Sequence, residues 1–281
     1  MKKIGIIGAG TMGVDIAVDL ILHHIEFVLI DVTEEILEKA KEQITKYVRF
    51  IPLMNSEIQA VHATEINRCL HASTQIDNVG CCDFIIENVT EQLTVKQGVY
   101  EALDRICPPT VCIGANTSCI SVTELGAFTD RADKIVGMHL MNPVYLKPMA
   151  EVIRGWHTSD ESIAIAKEFL GILNKEAIVV NDYPGFVSNR ISHLFMNEAA
   201  YVVQDGVATA DQVDSIFCKC FGHKMGPLQT ADFIGLDTVV DSLNILYQSY
   251  QDSKFRCCPL LKKMVAAGLL GKKSGKGFYQ Y

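Results

Sequence analysis

The stretch KIGIIGAGTMGVDIAVDLILHHIEFVLID, residues 3–31, decides the fold of this chain. It opens with a short apolar run, Lys3–Ile7, that ends in glycines, which predicts a buried strand. Apolar residues then recur at helical spacing from Thr11 to His24, and Glu26–Ile30 is a second apolar run. A strand, a glycine turn, a helix and a strand within about thirty residues make a βαβ unit, which implies a parallel sheet with a right-handed crossover.

The turn of this unit matches the pattern G-x-G-x-x-G, with Gly8, Gly10 and Gly13 around Thr11 and Met12. The three glycines of that pattern permit a tight turn, the approach of a pyrophosphate to the backbone, and close packing of helix on strand. The helix N-terminus adds amide donors and a partial positive charge for the phosphates. This turn is therefore predicted to bind a dinucleotide.

Asp31 ends the second strand, 18 residues after the last glycine of the turn. An acidic residue there would bind the adenosine ribose diol and repel a 2′-phosphate, so the unit predicts NAD and not NADP. The alternative is a glycine turn with an exposed aspartate in an unrelated α/β protein.

The rest of the chain divides into two regions of different pattern. Apolar runs that alternate with helical stretches continue the doubly wound sheet, at Phe84–Ile86, Val111–Ile113 and Lys134–Gly137. Residues 33–70 have a helical pattern with one break around Pro52. From Phe186 onward the periodicity is helical, apart from a short strand predicted near Phe278, so the boundary is drawn near Pro184. We predict an α/β, Rossmann-type NAD-binding domain over residues 1–183 and an all-α substrate and dimerisation domain over residues 184–281.

Composition excludes several classes of protein. With 281 residues, 49% of them hydrophobic, the chain can bury a sizeable core, and its net charge of −8 argues against nucleic acid as a partner. No apolar run approaches the ~20 residues of a membrane span, and no signal-peptide pattern opens the chain, so we expect a cytoplasmic protein. The ten cysteines include no CxxC pair, so we predict reduced thiols and no metal site.

Eight further segments of the sequence carry a recognisable pattern together with the glycine turn. In chain order they are DFIIENVTE (83–91), NTS (116–118), GMHLMNPV (137–144), EVIRG (151–155), PGFVSNR (184–190), MGP (225–227), DFIGLD (232–237) and GKKSGKGFY (271–279). Taken together, these segments resemble the L-3-hydroxyacyl-CoA dehydrogenase family, including its short 3-hydroxybutyryl-CoA members. They span the whole chain in one order, so the resemblance is far more specific than the glycine turn alone. It implies NAD-dependent oxidation of the 3-hydroxyl group of an acyl thioester, or the reverse reduction.

The resemblance also implies catalytic residues. His139 would be the general base that takes the hydroxyl proton, and Glu151 would hold the imidazole tautomer and stabilise the imidazolium. Ser118 and Asn189 would contact the substrate and stabilise charge on the reacting oxygen. Without the resemblance, a histidine and a glutamate at this separation are usually unrelated, Ser118 is an ordinary turn or cap residue, and Asn189 could cap nearby backbone.

The family positions that line the cofactor correspond to Glu91, Lys96 and Asn116. As bare residues, Glu91 and Lys96 are more typical of a solvated helix face.

Three departures from the family pattern bear on the substrate. Leu140 and Met141 replace two aromatic residues after the catalytic histidine, which alters the shape of a pocket wall. Asp15 stands where members commonly carry glycine or another small residue, and we expect it to point away from the phosphates. The stretch from Tyr47 to Asn55 has few cations for the phosphates of CoA, with Arg49 and, later, Arg68 nearby.

The scarcity of cations motivates a hypothesis that the thioester is carried by an acyl carrier protein, as for glyceryl units in polyketide pathways. The apolar run of residues 50–54 would then be an interaction patch, or merely a buried helix end.

Two other classes remain open. Dehydrogenases of free 3-hydroxy acids share the glycine turn, but the glycine-rich lysine motif that they use is not found here. A crystallin-like protein that binds NAD without turnover is the other alternative.

Apolar residues of the helical region predict a homodimer through that half: Val213, Ile216, Phe217, Phe233, Leu236 and Val239.

Overall fold

The chain forms two compact units, Met1–Asp182 and Tyr183–Tyr281, in a computed structural model. The structure describes residues 1, 3–54 and 60–281. The division between the units falls after Asp182, one residue before the boundary predicted after residue 183. Among the described residues, no helix combines the length and the apolar character needed to cross a bilayer.

The first unit is built on an eight-stranded sheet in the order β3-β2-β1-β4-β5-β6-β7-β8. The strands are β1 (Lys3–Ile7), β2 (Glu26–Ile30), β3 (Leu70–Ser73), β4 (Phe84–Glu87), β5 (Cys112–Ala115), β6 (Ile135–His139), β7 (Met149–Arg154) and β8 (Glu176–Asn181). β1 to β6 are parallel, β7 is antiparallel to β6, and β8 is parallel to β7. The predicted Rossmann-type architecture is confirmed.

Helices of the first unit connect these strands. They are α1 (Thr11–Leu22), α2 (Glu34–Met54), α3 (Ala63–Cys69), α4 (Leu93–Ile106), α5 (Val122–Gly126) and α6 (Asp160–Ile172), with 3₁₀ turns at Ile76–Cys81, Ala132–Lys134 and Val144–Leu146. The break predicted around Pro52 lies slightly later, because α2 includes Pro52 and ends at Met54.

The core of this unit explains why the sheet forms where it does. β1 and β2 are buried from their second residue onward, and α1 packs Ile16, Leu20 and Ile21 against them. Each such side chain contributes about 1.5–3 kcal/mol when removed from water. Buried strands covered on both faces give the continuous apolar runs seen in the sequence.

The second unit is helical, as predicted. Its helices are α7 (Ser188–Gln204), α8 (Ala210–Phe221), α9 (Pro227–Ile234), α10 (Leu236–Tyr250) and α11 (Pro259–Ala266), with 3₁₀ turns at Ser253–Phe255 and Lys272–Ser274. The strand predicted near Phe278 is wrong, since this part of the described chain has only isolated bridges, Gly271 with Lys276 and Lys276 with Gln280. Residues 271–281 make too few ladder contacts to form a strand.

Two late segments that match the family form one structural element in the second unit. Asp232 in α9 is buried and accepts hydrogen bonds from the backbone amides of Phe278 at 3.0 Å and Tyr279 at 2.9 Å. A side chain at Gly277 would overlap this carboxylate. Asp232 therefore anchors the C-terminal tail, and the closeness of its carboxylate explains the glycine at position 277.

All ten cysteines are free thiols, and six of them are buried: Cys69, Cys82, Cys107, Cys112, Cys257 and Cys258. Burial raises the pKa of Cys112 to about 12, so this thiol stays protonated. These six behave as small apolar core residues, as the sequence predicts.

Candidate active site

The glycine turn connects β1 to α1 at the carboxyl edge of the parallel strands. Gly8 has φ of +97°, and a side chain there would meet the carbonyl oxygen of Asn88 at 2.7 Å. A side chain at Gly13 would overlap the carbonyl oxygen of Gly8, so this position fixes how closely the helix approaches the strand. Gly10 faces open space. Two of the three glycines thus build the turn, and the third leaves room for a ligand.

Asp31 follows β2 and is bound to the same turn. Its Oδ2 accepts a hydrogen bond from the amide of Ala9 at 2.6 Å, and its Oδ1 accepts one from the amide of Val32 at 2.7 Å. Thr11 is exposed and Met12 half-buried at the start of α1. Gly10, the N-cap residue of this helix, offers no side chain to cap its amides. Open space over uncapped helix amides, beside a carboxylate, fits the diphosphate and ribose of NAD.

His139 and Glu151 meet as direct partners across the antiparallel strands β6 and β7. The Nδ1 atom of His139 lies 2.8 Å from Oε2 of Glu151, and the two residues are only 6% and 4% exposed. The hairpin accounts for the meeting of two residues 12 positions apart in the chain. Because a carboxylate only accepts, Glu151 fixes the proton on Nδ1 and leaves Nε2 as a proton acceptor.

Ser118 lies in the loop after β5, with its Oγ 3.2 Å from Nε2 of His139. Since Nε2 is the acceptor in this tautomer, the serine hydroxyl is the donor. The predicted residues Ser118, His139 and Glu151 therefore form one hydrogen-bonded series. Such a series can take a proton from a substrate hydroxyl at Nε2 and stabilise the resulting positive charge.

Glu91 holds the loop that carries Ser118. Its Oε1 accepts hydrogen bonds from the Thr117 hydroxyl at 2.6 Å and from the amides of Ser118 at 2.8 Å and Cys119 at 3.0 Å. Burial opposes charge on Glu91, but the Lys96 ammonium and these hydrogen bonds outweigh it, so the pKa of Glu91 lies below its usual value. The structure thus gives Glu91 a role in positioning the serine loop, while its contact with the cofactor stays a prediction.

Lys96 is 0% exposed, unlike the solvated position that its type alone favours. Its Nζ donates to both carboxylate oxygens of Glu87 at 2.8 Å and to the carbonyl of Asn116 at 3.3 Å, and it lies 3.5 Å from Glu91. Burial raises the pKa of Glu87, although Lys96 opposes this. Lys96 is thus held among protein acceptors, and its direct contact with the cofactor also stays a prediction.

Asn116 and Asn88 connect the two parts of the site. The Asn116 amide group donates to Oδ1 of Asn88 at 2.7 Å, and its oxygen accepts from the amide of Leu140 at 3.3 Å. The Asn88 backbone donates to the carbonyl of Ile7, beside the glycine turn. Sequence reasoning missed Glu87 and Asn88 as site residues, although they directly follow the apolar run Phe84–Ile86 in a matched segment.

Asn189 belongs to the second unit, at the second position of α7. The other predicted residues, from the glycine turn to Glu151, all lie in the first unit. Most lie at or just after the carboxyl end of a parallel strand or in the first turn of a helix, and Glu151 lies within β7. The carboxyl edge of the parallel strands therefore gathers both the predicted cofactor residues and the predicted acid–base residues.

Comparisons with known proteins agree over the whole chain. Residues 3–183 match the family model "3-hydroxyacyl-CoA dehydrogenase, NAD binding domain", and residues 185–281 match "3-hydroxyacyl-CoA dehydrogenase, C-terminal domain". The chain is 40% identical to the "Probable 3-hydroxybutyryl-CoA dehydrogenase" of Bacillus subtilis (strain 168), covering 100% of this chain and 98% of that one. It is 37% identical to the 3-hydroxybutyryl-CoA dehydrogenase of Bradyrhizobium diazoefficiens, covering 100% and 96%.

Among solved structures, (S)-3-hydroxybutyryl-CoA dehydrogenase from Ralstonia eutropha is similar, with a TM-score of 0.92 and 36% identity over 100% of this chain and 99% of that one.

Proposed function

Since the chain belongs to the 3-hydroxyacyl-CoA dehydrogenase family, whose members are NAD-dependent oxidoreductases, we propose that it interconverts a short (S)-3-hydroxyacyl-CoA and the 3-oxoacyl-CoA. The observation that carries the proposal is the hydrogen-bonded series of Ser118, His139 and Glu151 at the edge where the glycine turn lies. That series supplies the acid–base chemistry that such a reaction needs.

His139 is the general base in this proposal. In the oxidation, the proton of the 3-hydroxyl moves to Nε2 of His139 while the C3–H bond breaks and its electron pair leaves with the hydrogen as hydride. Bound NAD would supply the acceptor for that hydride, held at the glycine turn and Asp31. Glu151 stabilises the imidazolium that forms, and the Ser118 hydroxyl donates to the oxygen on which charge develops.

Asn189 is proposed as a second donor to the reacting oxygen. This role rests on its place in the matched segment 184–190. Replacement of Asn189 by alanine would then lower kcat for the thioester.

The carrier of the acyl group is proposed to be CoA. The stretch from Tyr47 to Asn55 has few cations, but α2 also carries Lys41 and Lys46 before it. These two lysines line one groove together with Glu42, Arg49 and Phe50, and Lys41 is also paired with Glu38. These cations suit the phosphates of CoA. Arg68 is bound elsewhere, to Glu26 and Glu65.

The apolar run proposed as a carrier patch is divided in the structure. Phe50 is exposed and Ile51 is buried, whereas the side chains of residues 53 and 54, and residue Asn55, lie outside the described part of the chain. Of this run, Phe50 therefore presents an exposed aromatic side chain, which lines the same groove as Lys46 and Arg49.

We also propose that the second unit forms a homodimer with a second copy. An apolar groove is lined by Phe195, Val202, Val207, Ile216 and Phe217, and its rim includes the exposed side chains of Val207 and Ile216. Exposed apolar surface of this kind is typical of protein interfaces. A light-scattering mass of two chains for the wild type and one for Ile216→Asp is the expected result.

Part of the surface predicted for the dimer belongs instead to the core of the unit. Val213, Leu236 and Val239 are buried, whereas Ile216 and Phe233 are exposed. The dimer proposal therefore rests on the exposed residues of the groove.

The experiment that tests the function follows NADH formation by the purified protein from NAD and 3-hydroxybutyryl-CoA, with His139→Ala as the control. Turnover that needs His139 is expected. Turnover of free 3-hydroxybutyrate alone would assign the chain to the wider dehydrogenase class. NADH binding without turnover of a CoA ester or a carrier-bound ester would favour the crystallin-like alternative.

A further inference from the structure

Helix α1 buries two carboxylates that the proposed mechanism does not use. Asp15 and Asp19 are one helical turn apart and only 3% and 2% exposed. Burying a charged group costs several kcal/mol unless it is paired and hydrogen-bonded. The partners of these carboxylates therefore indicate what they do.

Both carboxylates help to hold one residue of a loop, Val144, Asp15 directly and Asp19 through Lys175. The Oδ2 atom of Asp15 accepts a hydrogen bond from the amide of Val144 at 3.0 Å. The ammonium of Lys175, 2.9 Å from Asp19, donates to the carbonyls of Val144 and Lys147, each at 2.8 Å. Val144 is thus held at its N–H by one charged side chain and at its C=O by another. We call Asp15, Asp19 and Lys175 the loop clasp.

The loop held by the clasp joins the two catalytic strands. Residues 140–148 connect β6, which ends at His139, to β7, which carries Glu151. The clasp therefore fastens this hairpin to the helix that begins at the glycine turn. A displacement of about 1 Å between reacting groups can cost about 100-fold in rate, so the position of this loop matters for catalysis.

Within the clasp, Asp15 has the simplest set of contacts. Asp19 also lies 3.4 Å from Nδ1 of His23, and His23 contacts the amide of Asn174 at 3.2 Å, so a change at Asp19 would disturb several groups. Asp15 accepts from one loop amide. It also departs from the small residue that the family pattern favours, so a small side chain is compatible with the fold at this position.

We propose that Asp15 is a positioning residue that aligns the His139–Glu151 pair with the cofactor turn by holding the amide of Val144. The inference rests on the proposed function, because it concerns the same reaction. Since Asp15 faces the loop, its loss slows hydride transfer and leaves cofactor binding and thioester KM unchanged.

The test compares Asp15→Ala with Asp15→Asn, which keeps an acceptor oxygen for the Val144 amide. Bound sites are counted by NADH fluorescence titration, and kcat per site is measured with acetoacetyl-CoA. Asp15→Ala is expected to lower kcat about 10- to 100-fold with KM and the NADH Kd within about twofold, and Asp15→Asn to recover most of the loss. If the alanine variant is insoluble, Asp15→Gly takes its place.

A deuterated nicotinamide separates positioning from a merely structural role. Slower hydride transfer raises the kinetic isotope effect on kcat in Asp15→Ala above the wild-type value. An unchanged kcat per site, an unchanged isotope effect, or a loss confined to NADH affinity would overturn the inference. An inactive wild type would instead refute the proposed function, whatever the variants do.

Discussion

Replacement of Glu151 by glutamine removes one negative charge from the buried pair and keeps the size of the side chain. Glu151 lies 2.8 Å from Nδ1 of His139, and both residues are buried, so water cannot screen the contact. In the proposed mechanism, the imidazole is neutral before it accepts the substrate proton and positive afterwards. The lost charge therefore matters in the transition state and hardly in substrate binding.

The magnitude follows from the geometry. Two unit charges about 4 Å apart interact by about 4 kcal/mol at an effective dielectric constant of about 20. The glutamine carbonyl still accepts the hydrogen bond from Nδ1, which retains about 1 kcal/mol. A net loss of about 3 kcal/mol corresponds to a decrease in kcat of about 100-fold.

The assay measures kcat and KM for 3-hydroxybutyryl-CoA oxidation by the increase in NADH absorbance. Glu124→Gln is the matched control, because Glu124 is an exposed glutamate of α5. Thermal unfolding by circular dichroism checks that the variant is folded. A folded Glu151→Gln enzyme with kcat within about threefold of wild type would refute the charge argument, and a higher KM with unchanged kcat would assign Glu151 to substrate binding.

Three further changes test other parts of the site. Gly13→Ala forces a side chain onto the turn and is expected to weaken NADH binding at least 10-fold in a fluorescence titration, whereas Gly98→Ala, which meets open space, should leave it unchanged. Ser118→Ala removes a donor to the reacting oxygen, so kcat should fall about 10- to 100-fold at constant NADH affinity. Glu91 has a lowered pKa, so its stabilising contribution is complete above the ordinary glutamate pKa of about 4.3 and is lost as the pH falls through the lower folded value. The melting temperatures of wild type and Glu91→Gln should therefore differ by a constant amount above about pH 5 and converge in stronger acid; parallel curves would contradict this.

The first βαβ unit could be predicted almost residue by residue. β1 and β2 have the predicted bounds, and α1 begins at the predicted Thr11. Each of these elements is buried on the faces that its periodicity marks, so local pattern and tertiary burial agree there. The glycine turn was predictable for the same reason, because its function requires particular backbone conformations within six residues.

Three strands of the sheet were missed. β3 lies at one edge, is only half-buried and has no continuous apolar run. β8 lies at the other edge and has a run of four apolar residues, 177–180, but these are only half-buried or exposed, and a run this short does not distinguish a strand from a helix. β7 is buried, but Glu151 interrupts its run, and the polar residue that hid the strand is the one that pairs with His139. Side-chain identity alone cannot distinguish a buried catalytic carboxylate from a surface one.

Lys96 illustrates the same limit on a helix. Its type favours a solvated position, and nothing in α4 announces that Glu87, nine residues earlier, lies beneath it. The ion pair exists because Glu87 ends β4 and the fold brings Lys96 of α4 within 2.8 Å of it, which is a tertiary arrangement. Only the family resemblance drew attention to Lys96 from the sequence.

The buried ionisable residues of the first unit are not scattered through its core. Within the described part of the chain they are Asp15, Asp19, Glu87, Lys96, Arg131, His139, Glu151 and Lys175. All of them except Arg131 belong to or contact the His139–Glu151 pair, the serine loop or the hairpin loop, directly or through one partner. Buried ion pairs add little net stability compared with apolar residues of the same size, but they define where their partners must lie. Their concentration around the two loops of the proposed active site therefore supports a role in the alignment of the site more than in the stability of the fold.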